Sequence, residues 1–180
     1  MMADLVALWE VSLSDGKHRI EFEHGTTSGK RVITVDGKEV LRKNWMFKLV
    51  GRETFNIGKV KGTINIDASG GFSYEYTLDV DGKSLKKFVE QRSKTARVWC
   101  TSVAGMDYRI VLEKDTMDVW CNGAVLDTAG EFVDDGTETH FNLPGSDHSA
   151  YIKAVSSGKR REGIIHVLFV NGIEVPESND

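Results

Sequence analysis

The chain repeats itself. Arg19-Ile20 is matched by Arg109-Ile110, Asp36-Gly37 by Asn122-Gly123, and Val80-Asp81-Gly82 by Val170-Asn171-Gly172. Phe47–Ile57 (FKLVGRETFNI) is matched by Phe132–Leu143 (FVDDGTETHFNL). The partners lie 85 to 90 residues apart. A duplication at this period, with Asx-Gly pairs at matching places, constrains the chain to two similar β units in tandem. The expected fold class is all-β, with two tandem, internally duplicated antiparallel β-sandwich domains over residues 1–90 and 91–180. Units of about 90 residues are small, yet large enough to fold without staples.

Local patterns agree. Phe72, Tyr74, Tyr76, Leu78 and Val80 alternate with polar residues, which predicts a strand with one buried and one wet face. Ile20 and Phe22 alternate with Arg19, Glu21 and Glu23 in the same way. Asp36-Gly37, Asp15-Gly16, Asp81-Gly82, Asn122-Gly123 and Asn171-Gly172 predict hairpin turns, because Asx and Gly tolerate positive φ. Ile164–Val170 is apolar at six of seven positions and reads as a strand buried on both faces, or one at a domain interface. One segment carries conflicting signals. Leu85, Phe88, Val89 and Arg92 fall at helical spacing after a capping Ser84, but the repeat places a terminal strand there. The repeat favours an extended segment to about Phe88. The polar run Glu90–Ala96 then marks the boundary between the copies.

Charge narrows the function classes. Residues 1–90 carry 14 Lys/Arg and 13 Asp/Glu, whereas residues 91–180 carry 9 and 14. Glu113–Asp147 holds nine acidic residues and one basic, Lys114. Nucleic-acid affinity comes largely from cations on phosphates, so no nucleic-acid partner is expected. The acidic stretch reads as a solvated face, or else as a contact for a basic partner. No run approaches the roughly 18 apolar residues of a membrane span, so no membrane insertion is expected. The N-terminal Met1-Met2-Ala3-Asp4-Leu5 shows no secretory pattern. Cys100 and Cys121 both fall in the second copy, which predicts free thiols and a cytoplasmic location.

Candidate chemistry is sparse. Gly25-Thr26-Thr27-Ser28-Gly29-Lys30-Arg31 is one residue short of a phosphate loop, and Arg31 stands where Ser or Thr would hold magnesium. It reads as a connection between strands. The basic string Ser156-Ser157-Gly158-Lys159-Arg160-Arg161 reads as a loop. Of the five histidines, His18, His24, His140, His148 and His166, no pair has zinc-site spacing. His140 and His148 could meet across a hairpin, with Asp147 beside them, as a weak metal site. Asp134-Asp135-Gly136-Thr137-Glu138 lacks the full ligand series of a calcium loop and reads as a turn. Cys121, beside Val119 in the alternation, reads as a small apolar residue. Trp9, Trp45, Trp99 and Trp120 read as core anchors, with sugar-stacking platforms as the alternative. No catalytic, cofactor-binding or metal residues are assigned, and no cofactor is expected.

Several segments resemble one family. They are Phe22–Arg31 (FEHGTTSGKR), Trp45–Gly51 (WMFKLVG), Gly130–Phe141 (GEFVDDGTETHF), Tyr151–Lys159 (YIKAVSSGK) and Gly163–His166 (GIIH). Together they are similar to the Fas apoptotic inhibitory molecule family, from Asp4 to about Pro176. The resemblance implies a non-enzymatic cytosolic protein of two β-sandwich domains. It implies protection against death-receptor (Fas)-mediated apoptosis and modulation of survival signalling. It also implies a role against protein aggregation, all through protein–protein binding. The partners it implies are signalling proteins of the death-receptor and survival pathways, and misfolded or aggregating proteins. It transfers no site residues, and the partner-binding surface stays open. A second reading is a small-molecule or carbohydrate-binding β-sandwich protein, or an enzyme on that fold, with a Trp- and Tyr-lined pocket. The segments Val98–Gly105 and Asn142–Ser149 depart from the family pattern and read as loops or strand edges of the second copy.

Overall fold

A computed structural model describes residues 4–160 and 163–178. The chain divides into two compact units. One comprises residues up to Leu13 together with Lys17–Arg92, the other Ser14–Gly16 together with Ser93 onward.

The first unit has eight strands. β1 (Leu5–Leu13), β2 (Gly16–His24), β3 (Arg31–Val35) and β4 (Lys38–Lys43) form one antiparallel sheet in that order. β5 (Gly51–Ile57), β6 (Val60–Gly70), β7 (Ser73–Val80) and β8 (Lys83–Ser84) form the other. The inward residues of both sheets, among them Phe22, Ile33, Phe55, Ile57, Ile64, Ile66 and Leu78, make one buried cluster. Alternation along β5 and β7 puts every second side chain there, which is how the sequence specifies the core face.

The helix α1 (Leu85–Thr95) follows. This corrects the reading of Ser84–Phe88 as extended. β8 stops after two residues, the Ser84 hydroxyl accepts from the Lys87 N–H at 3.3 Å, and Phe88 is buried in the first core. Local helical period outweighed the repeat once one apolar residue could reach the core. Glu90–Thr95 is the second half of that helix.

The second unit repeats the plan. β9 (Ala96–Val103), β10 (Met106–Glu113), β11 (Asp118–Cys121) and β12 (Ala124–Val125) form one sheet. β13 (Ala129–Val133), β14 (Gly136–Asn142), β15 (Ser149–Ser156), β16 (Ile164–Val170) and β17 (Ile173–Val175) form the other, with β13 as an added edge strand. Trp99, Tyr108, Ile110, Leu112, Phe141, Ile152 and Leu168 lead its core.

The duplication reaches single hydrogen bonds. The Arg19 N–H donates to Asp36 Oδ1 at 2.7 Å while the Asp36 N–H donates to the Arg19 carbonyl at 2.8 Å. The Arg109 N–H donates to Asn122 Oδ1 at 2.8 Å, and the Asn122 N–H to the Arg109 carbonyl at 3.0 Å. Asp36, Asp81, Asn122 and Asn171 all have positive φ, as their hairpins require. The turn expected at Asp15-Gly16 falls one residue earlier, on Ser14-Asp15, and Gly16, at φ +146, opens β2. A further turn of the same kind uses Ala104-Gly105.

Two strand readings need correction. Phe72 lies in the turn before β7 and is fully exposed, because positive φ at Gly70 and Gly71 and a register shift after Ala68 end the pairing there. Ile164–Val170 is not buried on both faces. Ile164 and Ile165 are exposed beside the end of β15, and only Leu168 and Val170 enter the core.

Candidate interaction site

The segments Phe22–Arg31 and Trp45–Gly51 meet in the first unit. The connection Gly25–Lys30 closes on itself: the Gly29 N–H donates to the Gly25 carbonyl at 2.8 Å and the Gly25 N–H to the Lys30 carbonyl at 2.9 Å. No helix follows, so no phosphate cradle forms. Gly29 has φ +71, and a Cβ there would sit 2.3 Å from the Met46 carbonyl oxygen. That residue must be glycine because the loop Asn44–Val50 lies against it. The Met46 N–H completes the contact by donating to the Ser28 carbonyl at 2.9 Å.

Arg31 clamps the far end of the same loop. Its guanidinium is buried and donates to the carbonyls of Lys48 at 3.1 Å and Val50 at 2.8 Å, and to Glu53 Oε1 at 3.3 Å. Glu53 sits on the inward face of β5, and Lys43 Nζ reaches the same oxygen at 2.7 Å. A planar fork with several donors suits this task, which a lysine could fill only in part. Arg31 Nε is buried without a partner.

His24 lies beside this cluster. Its Nδ1 is 2.6 Å from the Tyr76 hydroxyl, its ring packs edge-on to Tyr74 and Tyr76, and Nε2 is buried without a partner. Burial, and secondarily the Arg31 charge, push its pKa below the usual histidine range, only partly offset by the Leu49 backbone. Burial also raises the Tyr76 hydroxyl pKa.

What this machinery holds up is a pair of aromatics in water. Trp45 is 66% exposed and Phe47 is 86% exposed, with their rings 6.4 Å apart. Near them in sequence, Arg42, Lys43, Lys48 and Arg52 are exposed cations, of which Arg42 pairs with Glu39 at 2.8 Å and Lys43 with Glu53. The expectation that all four tryptophans anchor cores therefore fails at Trp45 and at Trp120. Trp99 is fully buried, and Trp9 packs partly buried against the first core. Trp120 is half-buried on the face of β11 opposite Cys121.

The other candidate residues are dispersed. His18 pairs with Asp36 at 2.7 Å and His148 with Asn171 at 2.9 Å. His140 does not meet His148 or Asp147. It lies on the outer face of β14, 3.1 Å from Glu138 and 3.4 Å from Glu131. Glu131 and Glu138 are cross-strand partners, so the imidazole stands between two like charges. Its ring starts a row across the sheet, with Tyr151 at 5.1 Å and Phe169 a further 5.0 Å on. Asp134-Asp135 forms the two-residue turn between β13 and β14, and Asp135 pairs with Lys153 at 3.1 Å. His166 Nδ1 is buried without a partner, and burial, then Lys114 and Arg97, lower its pKa. Cys100 is exposed and Cys121 buried, both free, with burial pushing the Cys121 thiol to about 11. Ser156–Arg160 closes the loop after β15, and Arg161 lies outside the described residues.

Two shallow depressions mark the second unit. One, of about 430 Å³, is lined by Asp127, Thr128, His140 and Asn142 among others. The other, of about 490 Å³, is lined by Cys100, Asp107, Tyr108 and Asn122 among others. Neither is walled by a tryptophan. No helix among the described residues is long and apolar enough to cross a membrane.

Fold and site together define a class: an all-β protein of two sandwich-like units that holds aromatic side chains in solvent on a fixed loop. The family model for "Fas apoptotic inhibitory molecule (FAIM1)" matches residues 5–178, and the chain belongs to that family. It is 68% identical over 178 residues to Fas apoptotic inhibitory molecule 1 of Mus musculus and of Homo sapiens, covering 98% of this chain and 98% of each relative. The Bos taurus relative of the same name is also 68% identical over 178 residues, covering 98% of this chain and 88% of its own length.

Proposed function

We propose that the chain restrains apoptosis triggered through Fas-type death receptors, acting in the cytoplasm by protein–protein binding and without catalysis. The observation that carries this reading is the family match over residues 5–178, joined to relatives named as apoptotic inhibitors at 68% identity. The same reading gives it signalling proteins of the death-receptor and survival pathways as partners, and a second task in countering aggregation of misfolded chains. Exposed Trp45 and Phe47 support a binding role, since aromatic anchors dominate protein interfaces. The test uses cells lacking the protein, with and without its re-expression, exposed to Fas ligand. Caspase activation should fall on re-expression, and equal activation in both lines refutes the reading. Light scattering from a heated client, compared with an equal mass of albumin, tests the aggregation arm.

A further inference from the structure

β13 gives the second unit something the first unit lacks. Phe132 on β13 is the repeat partner of Phe47, yet Asn44–Val50 forms no strand. β14 therefore has a neighbour on each side, whereas among the described residues β5 pairs with β6 alone. The two-residue loop Gly58-Lys59 makes Ile57 and Val60 a hydrogen-bonded pair. Alternation then sends the N–H and C=O groups of Gly51, Glu53, Phe55 and Ile57 toward β6, and those of Arg52, Thr54 and Asn56 away from the sheet. All three residues are exposed. Three of the other edges are blunted: β8 and β12 have two residues each, and β4 carries the charged residues Lys38, Glu39, Arg42 and Lys43.

We propose that the β5 edge is a docking strand for an extended acidic segment of a partner protein, added antiparallel as β13 is added to β14. This inference rests on the protein-binding reading above and names its surface. Charge selects the occupant. Counted back from the matched residues Phe55 and Phe141, Arg52 takes the place of Glu138. A strand docked as β13 is docked would set its counterpart of Glu131 opposite Arg52, an unlike pair where the second unit has a like one. Exposed Lys48 adds to the positive charge of Arg52, with Arg42 held by Glu39 and Lys43 by Glu53, while Trp45 and Phe47, just before the strand, supply apolar anchors. Backbone bonds supply affinity, and the cations exclude basic segments.

The probe is a labelled peptide of the chain's own residues 127–134 (DTAGEFVD), added to the full chain and followed by anisotropy and amide NMR. Shifts should centre on Arg52–Asn56. N-methylating the Glu131 and Val133 nitrogens blocks the bonds to the edge and should weaken binding at least about tenfold, whereas methylating Gly130 and Phe132 should not. Arg52→Glu should weaken binding by about fivefold, and a Glu131→Lys peptide should restore it. Binding indifferent to the methylation pattern, shifts confined to other strands, or no binding overturns the proposal. Self-association of the chain that the peptide competes away would give the edge to a second copy and overturn the partner assignment. A Thr54→Pro chain, with proline placed on an edge where the N–H faces solvent, carries the test into the Fas assay. Lost peptide binding with lost protection supports the edge. Lost peptide binding with full protection overturns the edge and leaves the proposed function standing, whereas failure of the unaltered chain to protect sinks that function itself.

Discussion

Replacing Arg31 with Met should be among the most damaging single changes in the first unit. The substitution keeps roughly the same volume and removes only the guanidinium. Glu53, 5% exposed, then keeps a single cationic partner, Lys43, and the Lys48 and Val50 carbonyls lose their donor. Breaking a buried ion pair from one side costs about 3–5 kcal/mol. Lys43 is 42% exposed and stays in place, so the lower end applies, about 3 kcal/mol. Arg31→Lys keeps the charge but loses the fork, and should cost about 1–2 kcal/mol. The double change Arg31→Met with Glu53→Met removes both charges and should recover part of the loss, because no unpaired carboxylate is left buried. Urea unfolding of the full chain, read by NMR at first-unit amides such as Ile33 and Phe55, measures each value. A cost below about 1 kcal/mol for Arg31→Met, with an unchanged urea slope, would refute the clamp.

Acidification should destabilise the protein through His24 and His166. Both have folded pKa values below the usual 6.5, so the unfolded chain binds more protons and stability falls as pH drops below about 6.5. Each contributes at most about 1.4 kcal/mol per pH unit in that window, and His24→Asn should flatten the slope of denaturant midpoint against pH. Gly29→Ala should cost at least about 2 kcal/mol, since it adds a collision with the Met46 carbonyl to a positive φ. Gly71→Ala, at φ +57 with open space around it, should cost only about 1 kcal/mol. Thermal melts of the two variants decide between them. The two copies are proposed as independent folding units. Because α1 runs to Thr95, fragments 1–95 and 96–180 should give better-dispersed amide spectra than fragments cut at residue 90. Collapsed spectra from both pairs would count against independence.

The features legible in the sequence were those that local chemistry decides. Asp36-Gly37 and Asn122-Gly123 announce their turns because few other dipeptides hold two positive φ angles. The core faces of β2 and β7 follow from alternation. Features set by distant residues were not legible. Helix α1 needed a decision between its own period and the repeat. Exposure of Ile164 and Ile165 depended on how far β16 runs past the core, which no hydropathy pattern records. The link between His140, Glu131 and Glu138 required the β13–β14 register. Arg31 and Glu53 lie 22 residues apart and carry no mark of pairing, although an Arg amid β-branched residues in Arg31–Val35 was an available hint.

One inserted residue explains why the copies diverged at the site. From Gly51 to Phe55 is four residues, and from the matching Gly136 to Phe141 is five. Side chains in a strand alternate, so an odd step exchanges faces. Glu53 therefore points into the first unit, while Glu138, its sequence counterpart, lies on the outer face of β14. The cation changed as well: at the shift relating Asp36-Gly37 to Asn122-Gly123, Arg31 corresponds to Met117. With neither a buried carboxylate nor a guanidinium to hold its carbonyls, the segment before Gly136 pairs along β14 as β13. With both present, the segment before Gly51 is tied down as a loop, and the edge of β5 stays open. The buried Arg31–Glu53 pair is thus present in the copy whose edge is proposed to take another chain, and has no counterpart in the copy that completes its own sheet.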